Sequence, residues 1–174
     1  MSGRSGVLEN RLIELFRSTP DDDVKVEALE ALDEHVADPQ VIAFLTAVTA
    51  DSDEYDLARI ECMKILRLWP PPAPDARRDA GRALAAALRE DDELLRQYAA
   101  MSLGPYLDDP LVFEALTVAV LHDDDLDVRH NALAAVAEAG PADRHADLLR
   151  RLAGDAGLGH AAARTLDRWA GGAH

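Results

Sequence analysis

A short apolar pattern returns five times along the chain, and this recurrence constrains the fold more than any other feature of the sequence. The first position of the pattern holds Val24, Ala58, Leu95, Val128 and Leu158, at intervals of 30 to 37 residues. Four residues later stand Ala28, Cys62, Ala99, Ala132 and Ala162, and eight residues later Leu32, Leu66, Leu103, Val136 and Leu166. Because offsets of 0, 4 and 8 lie near one face of a helix, each copy predicts an amphipathic helix with a small residue at the centre of its buried stripe.

A second kind of helix is expected between these copies. Residues 38–46 and 109–117 match nearly position for position, and each segment begins with an Asp N-cap followed by a Pro at the first helical position. Residues 7–16, 74–88 and 141–152 occupy the same place in the other copies. The sequence therefore predicts helical hairpins, each of which buries its apolar stripe against the next.

The pattern resembles the HEAT repeat family, in the short bacterial form also known as phycobilin-lyase-type repeats. The similar element is an Asp-rich turn followed by Val-Arg-x-x-Ala-x-x-Ala-Leu, seen best at residues 23–32 and 127–136. This resemblance implies an all-α fold, an α-solenoid wound as a right-handed superhelix of about five hairpins, with the second helices on the concave side. We expect one domain over residues 1–174, with units of approximately 7–37, 38–69, 74–107, 108–139 and 141–170. Gly159 departs from the basic residue of the other copies, as in a terminal capping unit.

The net charge of the chain limits the kinds of partner that it is expected to bind. Its 18 basic and 33 acidic residues give a net charge of −15, which opposes binding to nucleic acid and to anionic membranes. A basic protein is the expected counterpart. We predict a cytoplasmic protein, because no apolar run approaches the ~18 residues of a membrane span and residues 1–16 lack the pattern of a signal peptide. The sequence leaves the oligomeric state open, with a monomer favoured.

The sequence lacks the motifs of several enzyme classes. It has no nucleophile elbow, phosphate-binding glycine loop or Cys-x-x-Cys pair, and His122 with the three following Asp residues is better explained by helix capping than by a metal. HEAT-like deoxyhypusine hydroxylases carry His-Glu pairs for iron, and no His-Glu dipeptide occurs here. We therefore predict that the chain is not an enzyme and has no cofactor or metal, and that the lone Cys62 is a buried apolar residue.

Acidic residues cluster in the turn that precedes each second helix. Sixteen of them lie there, in positions 21–23, 51, 53, 54, 56, 90–93, 123–125, 127 and 155. Two hypotheses remain open: capping and solubility, or a docking edge for a basic protein. Asp91, Asp92, Asp124 and Asp125 are the candidate partner-binding residues of this edge.

Two further columns of the repeat carry candidate residues. The residue after the first position is Lys25, Arg59, Arg96 or Arg129 in the first four copies, and we predict that these cations pair with turn carboxylates of neighbouring units. The column three after the first position holds Glu27, Glu61, Tyr98 and Asn131, which are expected on the inner face with Met101. Tyr98 and Met101 suit an interface anchor, and a partly buried Met101 is the alternative.

The leading functional hypothesis is a scaffold or adaptor that binds a basic peptide or protein through an acidic concave face and edge. An immunity or antitoxin protein that neutralises a basic toxin is the alternative. A HEAT-like lyase or metal-dependent enzyme is the third hypothesis, and it requires a cluster of polar residues in the concavity.

Overall fold

Residues 5–172 of the computed structural model are described, and they contain ten α-helices and no β-strand. The helices follow one another as α1 (Ser5–Ser18), α2 (Asp22–Leu32), α3 (Pro39–Ala50), α4 (Asp56–Leu68), α5 (Pro74–Ala87), α6 (Glu93–Ser102), α7 (Pro110–His122), α8 (Leu126–Ala139), α9 (Asp143–Arg151) and α10 (Gly159–Gly171). Short 3-10 helices follow α2 at Asp33–His35 and α6 at Gly104–Tyr106. None of these helices is long and apolar enough to cross a membrane.

The helices form five antiparallel pairs that stack in chain order. Within the pairs, α1 packs on α2, α3 on α4, α5 on α6, α7 on α8 and α9 on α10. Between pairs, the second helices α2, α4, α6 and α8 contact one another in turn, and so do the first helices α3, α5 and α7. This is the architecture of an α-solenoid, so the predicted all-α fold class is confirmed.

The small residues of the repeat lie where the second helices approach one another. Cys62, Ala99, Ala132 and Ala162 are fully buried, and Ala28 is nearly so. The buried apolar side chains form one continuous cluster from Ile13 to Ala162. The complete burial of Cys62 confirms that this residue belongs to the core, and burial raises the pKa of its thiol well above the ordinary value.

The predicted helix starts are also confirmed. Helix α3 begins at Pro39, and the Asp38 side chain accepts a hydrogen bond of 2.8 Å from the backbone N–H of Gln40. Helix α7 begins at Pro110 in the same way, with Asp109 as the cap. Proline fits the first turn because the N–H that it lacks has no partner there within the helix.

Tyr106 joins the second pair to the third. Its ring is almost completely buried, and its hydroxyl donates a 2.5 Å hydrogen bond to the backbone carbonyl of Leu66, in the last turn of α4. The carbonyls of a last turn have no partner within the helix, so Tyr106 satisfies one of them from another repeat. Gly81 of α5 leaves room for the ring, since a Cβ at this position would lie 3.0 Å from the Cβ of Tyr106.

We expect Tyr106→Phe to lower the free energy of unfolding by about 1–3 kcal/mol, because it leaves the Leu66 carbonyl without this buried donor. Urea unfolding followed by circular dichroism measures the change. Tyr55→Phe is the matched control, since no hydrogen bond of the Tyr55 hydroxyl is found among residues 5–172. Equal stability of the two variants would show that the hydrogen bond from Tyr106 to Leu66 does not stabilise the fold.

Candidate functional site

The predicted ladder of ion pairs between repeats is present in the structure. Each cation of the column reaches the acidic turn of the next pair. The partners are Lys25 Nζ and Glu54 Oε1 at 2.5 Å, Arg59 Nη2 and Glu90 Oε1 at 2.5 Å, Arg96 Nε and Asp123 Oδ2 at 3.0 Å, and Arg129 with Asp155. The ladder stops where Gly159 replaces the cation in the last copy.

Arg59 is the most deeply buried member of the ladder, with 2% of its surface exposed. Besides its ion pair with Glu90, its Nε and Nη2 donate to the backbone carbonyl of Thr49, in the last turn of α3, at 3.3 Å. Arg129 repeats the arrangement by donating to the carbonyl of Val120 at 2.9 Å. These side chains therefore bind one helix pair internally and attach it to the next, which explains the column without an external anion.

The carboxylates of the acidic turns fall into three groups. Glu54, Glu90, Asp123 and Asp155 belong to the ladder. The side chains of Asp21, Asp92 and Asp125 accept hydrogen bonds from backbone N–H groups as N-caps of α2, α6 and α8. Among the others, Asp51 accepts a hydrogen bond from the backbone N–H of Asp53, and Asp56 lies 4.0 Å from Arg59. Asp53, Asp91 and Asp124 are exposed, and their side chains form no hydrogen bond or ion pair within residues 5–172.

This division separates the four candidate residues of the edge. Asp92 and Asp125 are structural caps, and Asp125 also accepts a hydrogen bond of 3.2 Å from Gln97. Hydrogen bonds from Val128 and Gln97 hold the pKa of Asp125 below its ordinary value. Asp91 and Asp124 are exposed in the loops before α6 and α8. Charge reversal at Asp92 or Asp125 would therefore remove a cap, whereas Asp91 and Asp124 have no such structural role.

The column at the inner face lies on one side of the second helices. Glu27 is exposed, whereas Glu61, Tyr98, Met101 and Asn131 are half-buried. Partial burial of Met101 leaves part of its side chain open for contact, so its role as an anchor stays a prediction. Asn131 donates a hydrogen bond of 3.3 Å to the carbonyl of Gln97 and so links α8 to α6.

Contacts across the second helices show which side chains this face brings together. Lys64 donates a hydrogen bond of 2.6 Å to Glu61, which raises the pKa of the lysine, and Tyr98 and Glu30 lie close enough to raise it further. Arg67 of α4 forms an ion pair of 3.0 Å with Glu138 of α8, beyond the end of α6. We call this side of α2, α4, α6, α8 and α10 the second-helix face.

The repeat pattern predicts one column of this face, which contains Glu27, Glu61, Tyr98 and Asn131. The structure also exposes residues one before and six and ten after the first position of the repeat, among them Leu57, Leu94, Glu30, Arg164 and Arg168. The helical period predicts the exposure of these residues from the sequence, because their offsets lie opposite the buried stripe. Within residues 5–172, no group of three or more His, Cys, Asp or Glu side chains is arranged to hold a metal ion.

Residues 81–167 match the family described as HEAT repeats. The chain belongs to the HEAT repeat family. No curated protein matches this HEAT repeat sequence. Among solved structures, human deoxyhypusine hydroxylase in complex with glycerol is similar, with a TM-score of 0.60 and 19% sequence identity. The match covers 96% of this chain and 65% of the hydroxylase, so this HEAT repeat chain spans about two thirds of that structure.

The comparison corrects one prediction. The absence of enzyme motifs predicts that the chain is not an enzyme, yet a hydroxylase has a similar fold. That prediction was wrong, because the solenoid by itself does not exclude catalysis. The likeness at this level of identity shows the fold alone.

We expect Arg59→Met to lower the free energy of unfolding by about 2–4 kcal/mol, because it leaves the Thr49 carbonyl and Glu90 without their common donor. Arg78→Met is the control, since Arg78 pairs with the highly exposed Asp75 and such pairs contribute only about 0–1 kcal/mol. Urea unfolding of both variants measures the difference. A similar small loss in both would show that the ladder is no stronger than a surface ion pair.

The acid stability of the chain depends in part on Asp155. Its hydrogen bond with Arg129 and those from the backbone of Leu158 and Gly157 lower its pKa from the ordinary 3.8. A carboxyl group whose pKa is lower in the folded state contributes stability above its unfolded pKa and loses it as the pH falls through the folded value. We therefore expect Asp155→Asn to make the melting temperature less dependent on pH below about 4. Thermal unfolding of both proteins over that range, with Asp53→Asn as control, measures the effect.

Proposed function

We propose that the chain is a protein-binding scaffold or adaptor that receives a basic peptide or protein on its second-helix face and acidic edge. The observation that carries this proposal is the excess of exposed carboxylates, such as Asp91 and Asp124, beyond those that the ladder and the caps use. Structural roles account for the paired and capping carboxylates only. The others add repulsion at the turns, which a cationic partner would relieve.

The net charge of −15 supports the same kind of partner. Electrostatic attraction between an acidic surface and a basic protein mainly increases the association rate, and salt weakens it. HEAT repeats are an architecture with extended surfaces for such contacts, because a stack of helix pairs exposes side chains from many repeats along one face. A basic toxin would fit the same surface, so an immunity protein is one form that this scaffold function can take.

Affinity capture from the native host, with elution by increasing salt, tests the proposal. We expect basic proteins to be retained at low salt and released as the salt concentration rises. Retention of no protein, or only of proteins that salt does not release, would contradict the proposal.

The exposed carboxylates of the edge make a second test with a captured partner. We expect Asp91→Lys together with Asp124→Lys to slow association by roughly tenfold at low ionic strength and to leave the melting temperature nearly unchanged. Stopped-flow mixing at two salt concentrations measures the rates. Asp92→Lys with Asp125→Lys is the comparison, since it changes the same charge but removes two N-caps and is expected to cost about 1–4 kcal/mol of stability in total. An unchanged association rate in the first variant would exclude the edge as a docking surface.

A further inference from the structure

The middle of the second-helix face exposes apolar side chains, beside the ion pair between Lys64 and Glu61 on α4. Leu57 of α4 and Leu94 of α6 stand in the same position of the repeat and are 48% and 42% exposed, and Leu68 at the end of α4 is 66% exposed. Tyr98 and Met101 follow Leu94 by four and seven residues and are half-buried beside it. No helix of residues 5–172 packs over these side chains, so α4 and α6 present an apolar strip to solvent.

One end of this face is acidic. Helix α2 and the 3-10 turn after it expose Glu27, Glu30 and Glu34 on the side that corresponds to the apolar strip. Like charges three or four residues apart destabilise a helix, and carboxylates in its last turn also oppose the helix dipole. Capping cannot explain this acidic row, because capping uses carboxylates at the start of a helix.

Within residues 5–172, no Lys or Arg forms an ion pair with the acidic row. Lys25, on the same helix, reaches Glu54 in the next turn. Lys64 lies near Glu30, but its ammonium group donates to Glu61. The acidic row therefore keeps most of its negative potential.

The other end of the face is basic. Arg164 and Arg168 of α10 are exposed at the repeat positions that Glu30 of α2 and Glu34 of the following 3-10 turn occupy. Neither arginine forms an ion pair with residues 5–172, and the exposed Asp167 lies between them in the sequence. Helix α8, between the strip and this end, contributes the exposed Asp127 together with Asn131 and Ala134 to the face, and its Glu138 is neutralised by Arg67. Within residues 5–172, the face thus has unpaired carboxylates at α2, exposed leucines on α4 and α6, the single unpaired carboxylate of Asp127 at the start of α8, and unpaired guanidinium groups at α10.

We infer that the second-helix face binds a charge-polarised peptide segment, with its cations over the acidic row of α2, apolar side chains on the strip of α4 and α6, and carboxylates over Arg164 and Arg168. The inference rests on the proposed function. It limits the partner to a segment with cations at one end and carboxylates at the other. Helices pack about 8–10 Å apart, so the distance from α2 to α10 is roughly 32–40 Å, which an extended chain covers with about 10–12 residues. Charge complementarity at both ends sets the direction of the segment, and the strip anchors it.

Two synthetic peptides of about 12 residues test the inference. The polarised peptide carries lysines at one end, leucine and phenylalanine in the middle and glutamates at the other end. The second peptide has the same apolar centre with lysines at both ends. Fluorescence anisotropy of labelled peptides measures their affinities, and we expect the polarised peptide to bind about tenfold more tightly.

Variants of the protein show where each end binds. Glu27→Gln, Glu30→Gln and Glu34→Gln together, and Arg164→Gln with Arg168→Gln, should each weaken binding of the polarised peptide by about tenfold. The matched control removes the same number of carboxylates from the turns, by Asp22→Asn, Asp53→Asn and Asp91→Asn, and should change the affinity by less than about twofold. A photo-crosslinker at the lysine end should attach to α2.

The outcomes separate this inference from the proposed function. Equal binding of the two peptides, or binding that only the turn variant weakens, would overturn the charge order and leave the basic-partner scaffold in place. Failure of both peptides to bind, with salt-sensitive capture of host proteins intact, would also overturn the inference alone. If neither peptide binds and nothing is captured, both proposals are wrong.

Discussion

The stacking of apolar stripes between successive helix pairs is the constraint on which the rest of this structure depends. A single pair leaves its stripe exposed on the sides that face its neighbours, so each repeat is stable only as part of the stack. The alanines and the cysteine at the centre of the second helices let those helices approach closely, as the full burial of Cys62, Ala99 and Ala132 shows. Larger side chains at these positions would separate the helices and open the core.

Polar contacts then set how one pair is oriented on the next. The ladder from Lys25 to Asp155 and the hydrogen bond from Tyr106 to Leu66 all cross from one repeat to another. Arg59 can be buried because its guanidinium donates hydrogen bonds both to a backbone carbonyl and to a carboxylate. Much of the acidity in the turns is therefore structural, and the functional question concerns only the carboxylates that remain.

Function in a repeat fold is decided by the side chains that the stack leaves exposed. A hydroxylase has a similar fold, so the fold alone does not decide between catalysis and binding. In this chain the second-helix face combines exposed leucines with opposite charges at its two ends. In the proposed complex, these exposed groups set the direction of the bound segment, since a reversed segment would place like charges together at both ends.

The sequence by itself determined the helices, their pairing and the ladder. The repeat positions 24, 58, 95, 128 and 158 predicted the second helices, and the two Asp-Pro segments predicted the starts of α3 and α7, because helical period and capping are local properties. Tertiary structure alone decided which acidic residues are used, such as Asp123 for Arg96 and Asp92 for the cap of α6. It also decided that Tyr106 reaches Leu66 and that Arg67 meets Glu138, 71 residues away. These contacts depend on the angles and distances between repeats, which result from the packing of the whole stack and are not encoded in any short stretch of sequence.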